Sequence, residues 1–455
     1  LGVGFSNADG QARPISGPAF SHWRLHFLRF THAAAFLKSV AFTFGAGAKQ
    51  KITLKVNMKT KIAGTSVLFV ALMALALAGK TQSNAPKVDV AKQFELAARQ
   101  YEGMLAAHPD VTKFPQSTKP DGTPDDRTAN WWCSGFFGSS LWYLFEYTGN
   151  EKWKTAAHKW TMAVESQKNN KGTHDLGFML YGPFGNGYRL TQNPDYLEPL
   201  TTGAASLATR FKPSVGLIKS WDKHDNCDYP VIIDNMMNLE FLFWAAKQTG
   251  NKNLFDIAVT HANNTIKSHF RNDLSSYHVV CYNPDGTVFR KKTHQGANDT
   301  SAWARGQAWA LYGFTVMYRE TRDTAYLNQA EGIAQFIINH PNMPADGVPY
   351  WDFDAPNIPN EERDASAAAI NAAALLELCR YSAAHKAQYF AYAERVLVSL
   401  SSPAYHAPIG QNNHFLLMHS VGNKPSGREI NTPIVYADYY YLEALLRYRA
   451  FFKSY

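Results

Sequence analysis

Residues 130–160, NWWCSGFFGSSLWYLFEYTGNEKWKTAAHKW, hold one repeating unit of the fold. The first half is apolar all round, the mark of a helix buried on every side. The segment EYTGNEKW (146–153) then turns the chain. From residue 151 to 168 the pattern becomes one-sided, as in a helix with one face on a core and the other in water.

The unit recurs along the chain. One-sided stretches fall at 92–107, 151–168, 194–211, 253–270, 324–340 and 385–400. Between them lie uniformly apolar helices that begin at Asn130, Asp175, Asp234, Asp299, Asp364 and Asp438. The turn is echoed by KQTGNKNL (247–254) and more loosely by RETRDTAY (319–326). Unequal spacing makes this a degenerate array rather than a tight repeat. Six outer and six inner helices in alternation predict an all-α fold, an (α/α)6 barrel of six helical hairpins. All inner helices run the same way, so their polar starts converge at one mouth, where a site is expected. The stretch SYHVVCYNPDGTVFRKK (276–292) carries a Pro-Asp-Gly turn between alternating residues and predicts a short β-hairpin over that mouth.

The formal charge of +8 does not describe this body. Residues 1–79 hold nine Lys/Arg against one acid, Asp9, and the remaining 36 basic and 36 acidic residues cancel. A nucleic-acid footprint needs a basic stripe on the folded domain, so that class loses its main support and no nucleic-acid partner is expected. Met58, Lys59 and Lys61 precede an apolar run from Val67 to Ala78, with small residues at Ala76, Ala78 and Gly79. This reads as a secretory signal peptide over 58–79. The run is shorter than the ~20 residues of a membrane span, and no Cys follows it for a lipid anchor. Residues 1–57 read as translated upstream sequence, and 80–455 as the barrel domain. An exported protein, periplasmic or secreted and without stable membrane insertion after cleavage, is expected. Cys133, Cys227, Cys281 and Cys379 form no C-x-x-C pair and lack His at ligand spacing, so no metal site is expected. They read mostly as buried thiols, although export would permit a disulfide. Oligomeric state leaves no signal.

Three stretches carry candidate chemistry: THDLGF (173–178), VIIDNMMNLE (231–240) and THQGANDTSAWARGQAW (293–309). Asp234 follows three apolar residues and opens a buried helix. It is either a helix cap or a proton donor whose pKa burial must raise against the lowering helix dipole. Asp175, beside His174, faces the same mouth, and two carboxylates in one cleft are the minimum equipment for most glycoside hydrolysis. Ser301, Arg305 and Trp309 share a helix face at i, i+4 spacing. Arg305 either clamps a sugar carboxylate bidentately or pairs with an internal acid, and Trp309 could stack on the pyranose. His294 and Gln295 are imidazole and amide candidates for the same pocket. Trp131–Trp132 and Trp221 are core residues or sugar platforms, and His278 in the hairpin is an orienting group or a plain surface histidine.

Taken together, these stretches resemble the unsaturated glucuronyl hydrolases, family 88 of the glycoside hydrolases. NWWCSGFFGSSLWYLFEYTGN, THDLGF, VIIDNMMNLE, QGANDTSAWARGQAWALYG and VPYWDFDAP all look like family motifs, and the likeness spans roughly 95–452. The resemblance implies the (α/α)6 barrel. It also implies removal of a Δ4,5-unsaturated glucuronyl residue from the non-reducing end of lyase-generated glycosaminoglycan oligosaccharides, with no cofactor. Asp234 matches the general acid/base and Asp175 the second essential carboxylate. Trp132, His278, Gln295, Arg305 and Trp309 match substrate contacts, and Trp221 does so less securely. The implied reaction protonates C4 of a vinyl ether rather than a glycosidic oxygen. In the family that the chain resembles, sulfate tolerance depends on a polar or basic loop near the C-terminal end. HSVGNKPSGRE (419–429) is its equivalent here, with Ser420, Lys424, Ser426 and Arg428 either sulfate contacts or parts of a plain solvated loop. Alternative readings are an unsaturated rhamnogalacturonyl hydrolase acting on pectin fragments, and a non-catalytic oligosaccharide-binding barrel.

Overall fold

Outer and inner helices alternate along the chain. In order they are α1 (Val90–Ala107), α2 (Gly135–Thr148), α3 (Glu151–Met162), α4 (Gly177–Gly185 running into Asn186–Thr191), α5 (Leu197–Ala208) and α6 (Ile233–Asn238 running into Leu239–Thr249). Then come α7 (Lys252–His269), α8 (Ala304–Thr321), α9 (Thr324–Asn339), α10 (Ala365–Leu378), α11 (Lys386–Leu400) and α12 (Val435–Lys453). The even-numbered helices form the inner layer, and every residue of α10 is buried. This computed structural model describes residues 86–222 and 226–453, which fall in one unit, Ala85–Tyr455. The expected upstream and signal segments lie outside the described residues. Among the described residues no helix is long and apolar enough to cross a membrane.

The three echoed turns share one geometry. Gly149 and Gly250 take left-handed backbone angles (φ 65° and 70°), and Asn150 and Asn251 then cap the next helix through Lys152 N and Asn253 N. At the looser copy Arg322 takes the left-handed position (φ 61°) and Asp323 caps Ala325 N. A left-handed residue ends one helix and an Asn/Asp oxygen starts the next, so each hairpin is fixed locally.

Several helix starts differ from the sequence expectation. Asp299 lies in a loop ahead of α8, which begins at Ala304 after an extended Trp303. Asp438 sits inside the first turn of α12, where its carboxylate accepts Leu416 N and Leu417 N instead of capping its own helix. The first part of α4 is π-wound and contains Pro183, whose missing N–H cannot join a regular ladder.

The hairpin forms as expected, from β6 (Val279–Tyr282) and β7 (Val288–Lys292), but a third strand, β5 (Tyr229–Ile232), pairs antiparallel with β6. Smaller two-stranded sheets join β1 (Phe114–Thr118) to β2 (Pro124–Arg127), β3 (Phe211–Lys212) to β4 (Leu217–Ile218), and β8 (Ser420–Asn423) to β9 (Arg428–Thr432). Cys227 and Cys281 are bonded to each other, with Cα atoms 5.6 Å apart. The expectation of mostly free thiols therefore holds only for Cys133 and Cys379, both buried.

Candidate active site

The sheet delivers Asp234 to the mouth. Strand β5 runs directly into the first turn of α6, and Ile233 N donates to His278 O at 3.0 Å, so strand and hairpin advance together. Behind Asp234, α8 comes unusually close. A Cβ on Gly313 would stand 2.5 Å from Met236 Cβ, so only glycine lets the α6 turn seat there. The result is a carboxyl 8% exposed. Burial pushes it up to about 7, the Arg305 charge opposes this, and the Asp175 charge adds to the rise. The contest between burial and helix dipole, open in the sequence, goes to burial.

Asp175 is also buried and is held within its own loop. Thr173 Oγ1 donates to Asp175 Oδ2 at 2.5 Å, and His174 Nε2 stands 3.2 Å from Oδ1. Burial lowers the His174 pKa, which favours a neutral ring.

His278 is buried rather than on the surface. Its Nδ1 accepts the backbone N–H groups of His294 and Gln295, each at 3.1 Å. That places the ring proton on Nε2, which stands 3.7 Å from Asp234 Oδ2. Trp303 packs on this imidazole with ring centres 4.4 Å apart. Half-buried Trp221 meets the rings of His278 and His294 edge-on. The Cys227–Cys281 bond ties the Trp221 loop to β6 and so joins two walls of the mouth.

Arg305 follows its internal-acid alternative. It is 1% exposed, donates to Asp364 Oδ2 at 3.0 Å, and also donates to the carbonyls of Val421 and Gly422 in β8. Gln295 Nε2 donates to the same Gly422 carbonyl at 2.9 Å. Trp309 is fully buried against Phe178, Tyr436 and Tyr440, so it has no free face for a sugar. It is near enough to Asp234 to favour the ionised carboxylate. Ser301 precedes α8 rather than sharing its face, and it donates to Asp352 Oδ2 at 2.8 Å. Trp132 is half-buried against Phe136, Phe178 and Tyr436 at the rim.

Sequence reasoning missed Trp303 and Tyr436, whose rings face the Arg305 guanidinium at 4.5 and 5.3 Å. It also read Asp364 only as a helix start. Trp303 lay in plain view two residues before Arg305, but nothing local marks Tyr436. In the 419–429 stretch, Ser420 is buried, and Lys424 is held by Glu361 and Glu362. Among the described residues no group of three or more His, Cys, Asp or Glu is arranged to hold a metal. A separate cavity of about 580 Å³ lies at the opposite, C-terminal ends of the inner helices. Its Glu146–Arg189, Glu240–Arg319 and Glu443–Arg447 pairs neutralise one another. It is not the mouth that holds Asp234.

The geometry has counterparts among known proteins. Residues 107–451 match Glycosyl Hydrolase Family 88. An unsaturated glucuronyl hydrolase of Formosa agariphila is 44% identical over 373 residues, covering 80% of this chain and 92% of the relative. An unsaturated chondroitin disaccharide hydrolase of Streptococcus pneumoniae is 31% identical and covers 70% of this chain and 81% of the relative. Among solved structures, an unsaturated glucuronyl hydrolase specific for heparin superposes with a TM-score of 0.78 at 47% identity, covering 80% of this chain and 98% of that one. The enzyme from Bacillus sp. GL1 superposes at 0.71 with 28% identity, covering 78% and 96%. With family profile, relatives and barrel in agreement, the chain belongs to Glycosyl Hydrolase Family 88.

Proposed function

We propose that this hydrolase removes the Δ4,5-unsaturated glucuronyl residue from the non-reducing end of glycosaminoglycan fragments, with Asp234 moving the proton. The observation that carries the reading is a buried carboxyl raised to about 7 at the barrel mouth, beside a second carboxylate. A group that must start protonated near neutral pH needs such a value.

The substrate ring is a vinyl ether whose C4 is nucleophilic. Asp234 gives its proton to C4, and positive charge develops at C5 and the ring oxygen. Asp175 supplies negative charge to that cation. Water adds at C5 and returns a proton to the Asp234 carboxylate. The C5–O5 bond of the resulting hemiketal then opens to a ketone, and O5 becomes a hydroxyl on C1. Collapse at C1 to the aldehyde releases the aglycone alcohol. One carboxyl serves as acid and then base, so the two aspartates need not be matched. His278, with its proton on Nε2, is suited to orient Asp234 or a substrate oxygen. Trp132 and Trp221 are suited to wall the ring, and Gln295, Arg305 and Trp309 to support the pocket from behind.

The reading is tested with a lyase-generated unsaturated disaccharide by following loss of the conjugated near-UV absorbance. Asp234→Asn is expected to abolish that loss while circular dichroism is unchanged. Full activity in the variant would remove Asp234 from the mechanism.

Export belongs to the same proposal. The signal-like segment at 58–79 supports it, and so does the Cys227–Cys281 bond, since disulfides persist mainly in oxidising compartments. Mass spectrometry of the native mature protein tests it, and an N-terminus before Met58 would refute it.

A further inference from the structure

Beyond the Trp221 loop lies a pocket whose charge is not balanced. Its volume is about 460 Å³, and it is lined by Lys171, Arg210, Lys212, Lys219, Asp222 and Tyr229, among others. Among the described residues that line it, four cations face one carboxylate. Arg210 anchors the pocket: it is 7% exposed, its Nε donates to Lys219 O at 2.7 Å, and one terminal nitrogen reaches Asp222 Oδ1 at 3.1 Å. Its other terminal nitrogen is buried and has no hydrogen-bond partner among the described residues. A buried guanidinium normally satisfies its donors, and one left over costs free energy unless something arrives to accept from it.

The lysines show the same imbalance. Among the described residues Lys171, Lys212 and Lys219 form no ion pair with a carboxylate, whereas Arg210 does. Lys219 Nζ lies instead over the Tyr229 ring at 5.7 Å. Lys219 titrates below the ordinary lysine range, chiefly through partial burial, and Arg210 and Lys212 add like-charge repulsion against Asp222 and Asp228. Crowded cations around an open volume are relieved by an anion.

Placement decides which anion. Lys171 stands two residues before Thr173, the residue that holds Asp175. Lys219 and Asp222 flank Trp221, whose ring meets His278 and His294 of the mouth. Arg210 also donates to the Lys171 carbonyl, so the pocket lies beside the two chain segments that carry Asp175 and Trp221. We propose that it is a second binding site, which takes a carboxylate or sulfate group on an acidic glycan that extends beyond the disaccharide cleaved at the mouth. The free guanidinium N–H edge of Arg210 would donate to the oxyanion, and Lys212 and Lys219 would neutralise it. This rests on the proposed acidic-glycan substrate, and it goes beyond it in making the enzyme sensitive to chain length.

The test compares unsaturated chondroitin disaccharide with an unsaturated chondroitin hexasaccharide, using wild type and the double variant Lys212→Ala/Lys219→Ala. On the disaccharide the two proteins are expected to be equal, which also shows that the variant folds. On the hexasaccharide the variant is expected to show KM raised about tenfold, with kcat unchanged and a shallower dependence on salt. A saturated hexasaccharide, which cannot be cleaved, is expected to bind wild type and Asp234→Asn equally, and the double variant at least fivefold more weakly. Equal behaviour on both lengths would overturn the pocket's role. Protection by inorganic sulfate with no effect of glycan length would overturn it as a glycan site. If neither substrate is hydrolysed by wild type, the proposed function fails, while the saturated hexasaccharide still decides the pocket.

Discussion

Replacing Asp234 by Asn should do two opposite things, and both can be sized. Activity is lost because the amide has no proton to give C4. Stability at alkaline pH should rise. Asp234 titrates near 7 in the folded chain and near ~3.9 when unfolded. Below pH 4 the group is protonated in both states and contributes no difference. Between pH 4 and 7 the unfolded chain ionises while the folded chain keeps its proton. Folding stability contributed by that bound proton is therefore lost at ~1.4 kcal/mol per pH unit, and the loss levels off above 7 at about 4 kcal/mol. Asparagine does not titrate, so the variant escapes this loss. The stability difference, Asp234→Asn minus wild type, should grow by about 4 kcal/mol from pH 4 to pH 8.

The assay is urea unfolding of both proteins across that range, read by tryptophan fluorescence. Other buried acids such as Asp438 and Glu443 are raised too, but they are present in both proteins and drop out of the difference. Parallel stability curves from pH 4 to 8 would refute the raised value, and with it the claim that Asp234 waits protonated at neutral pH.

The remaining expectations concern its neighbours and the frame. Asp175→Asn removes a charge that raises Asp234, so the alkaline limb of kcat/KM should move to lower pH; an upward move would contradict the assignment. Arg305→Ala leaves Asp364 buried without its cation and should cost about 3–5 kcal/mol. Arg305→Met with Asp364→Asn should recover most of that stability but leave KM raised if the pair also shapes the mouth. Lys424 is already taken by Glu361 and Glu362, so a sulfated disaccharide should show no higher kcat/KM than its unsulfated parent; a tenfold preference for the sulfated one would show that this ion pair opens. Gly149→Ala and Gly250→Ala, each with open space around the new methyl, should each cost ~1–2 kcal/mol by thermal denaturation.

What the sequence made legible was periodic or local. Six apolar stretches and six one-sided ones dictate alternate layers, and the Thr-Gly-Asn turns fix their order without tertiary information. Pairings between distant segments stayed hidden. Nothing near Arg305 says that Asp364 and the Gly422 carbonyl will take its donors, since these partners lie 59 and 117 residues away. The third strand escaped notice because YPVI reads equally as the apolar lead-in to a helix. Trp309 keeps helical phase with Arg305, yet phase does not say whether an indole faces a cleft or Phe178.

Asp234 and Asp364 show most clearly where local reading stops. Both precede apolar inner helices and look like caps. Asp364 is one: extended backbone presents its carboxylate to Ser366 N, and Arg305 secures it. At α6 the extended residue is Ile232, two positions earlier, so Asp234 already lies inside the tight first turn and caps nothing. In that position burial outweighs the Arg305 charge, its own backbone N–H and the Trp309 indole, which favour the ionised form. Burial alone does not make a proton donor. Asp438 is also raised to about 7, but it is fully enclosed and bound by two backbone N–H groups that tie down the 416–417 loop. Asp234 keeps a small open edge, a like charge at Asp175 and an imidazole proton 3.7 Å away. That combination of a protonated acid, an access path and fixed neighbours distinguishes a reactive carboxyl from a structural one of the same pKa.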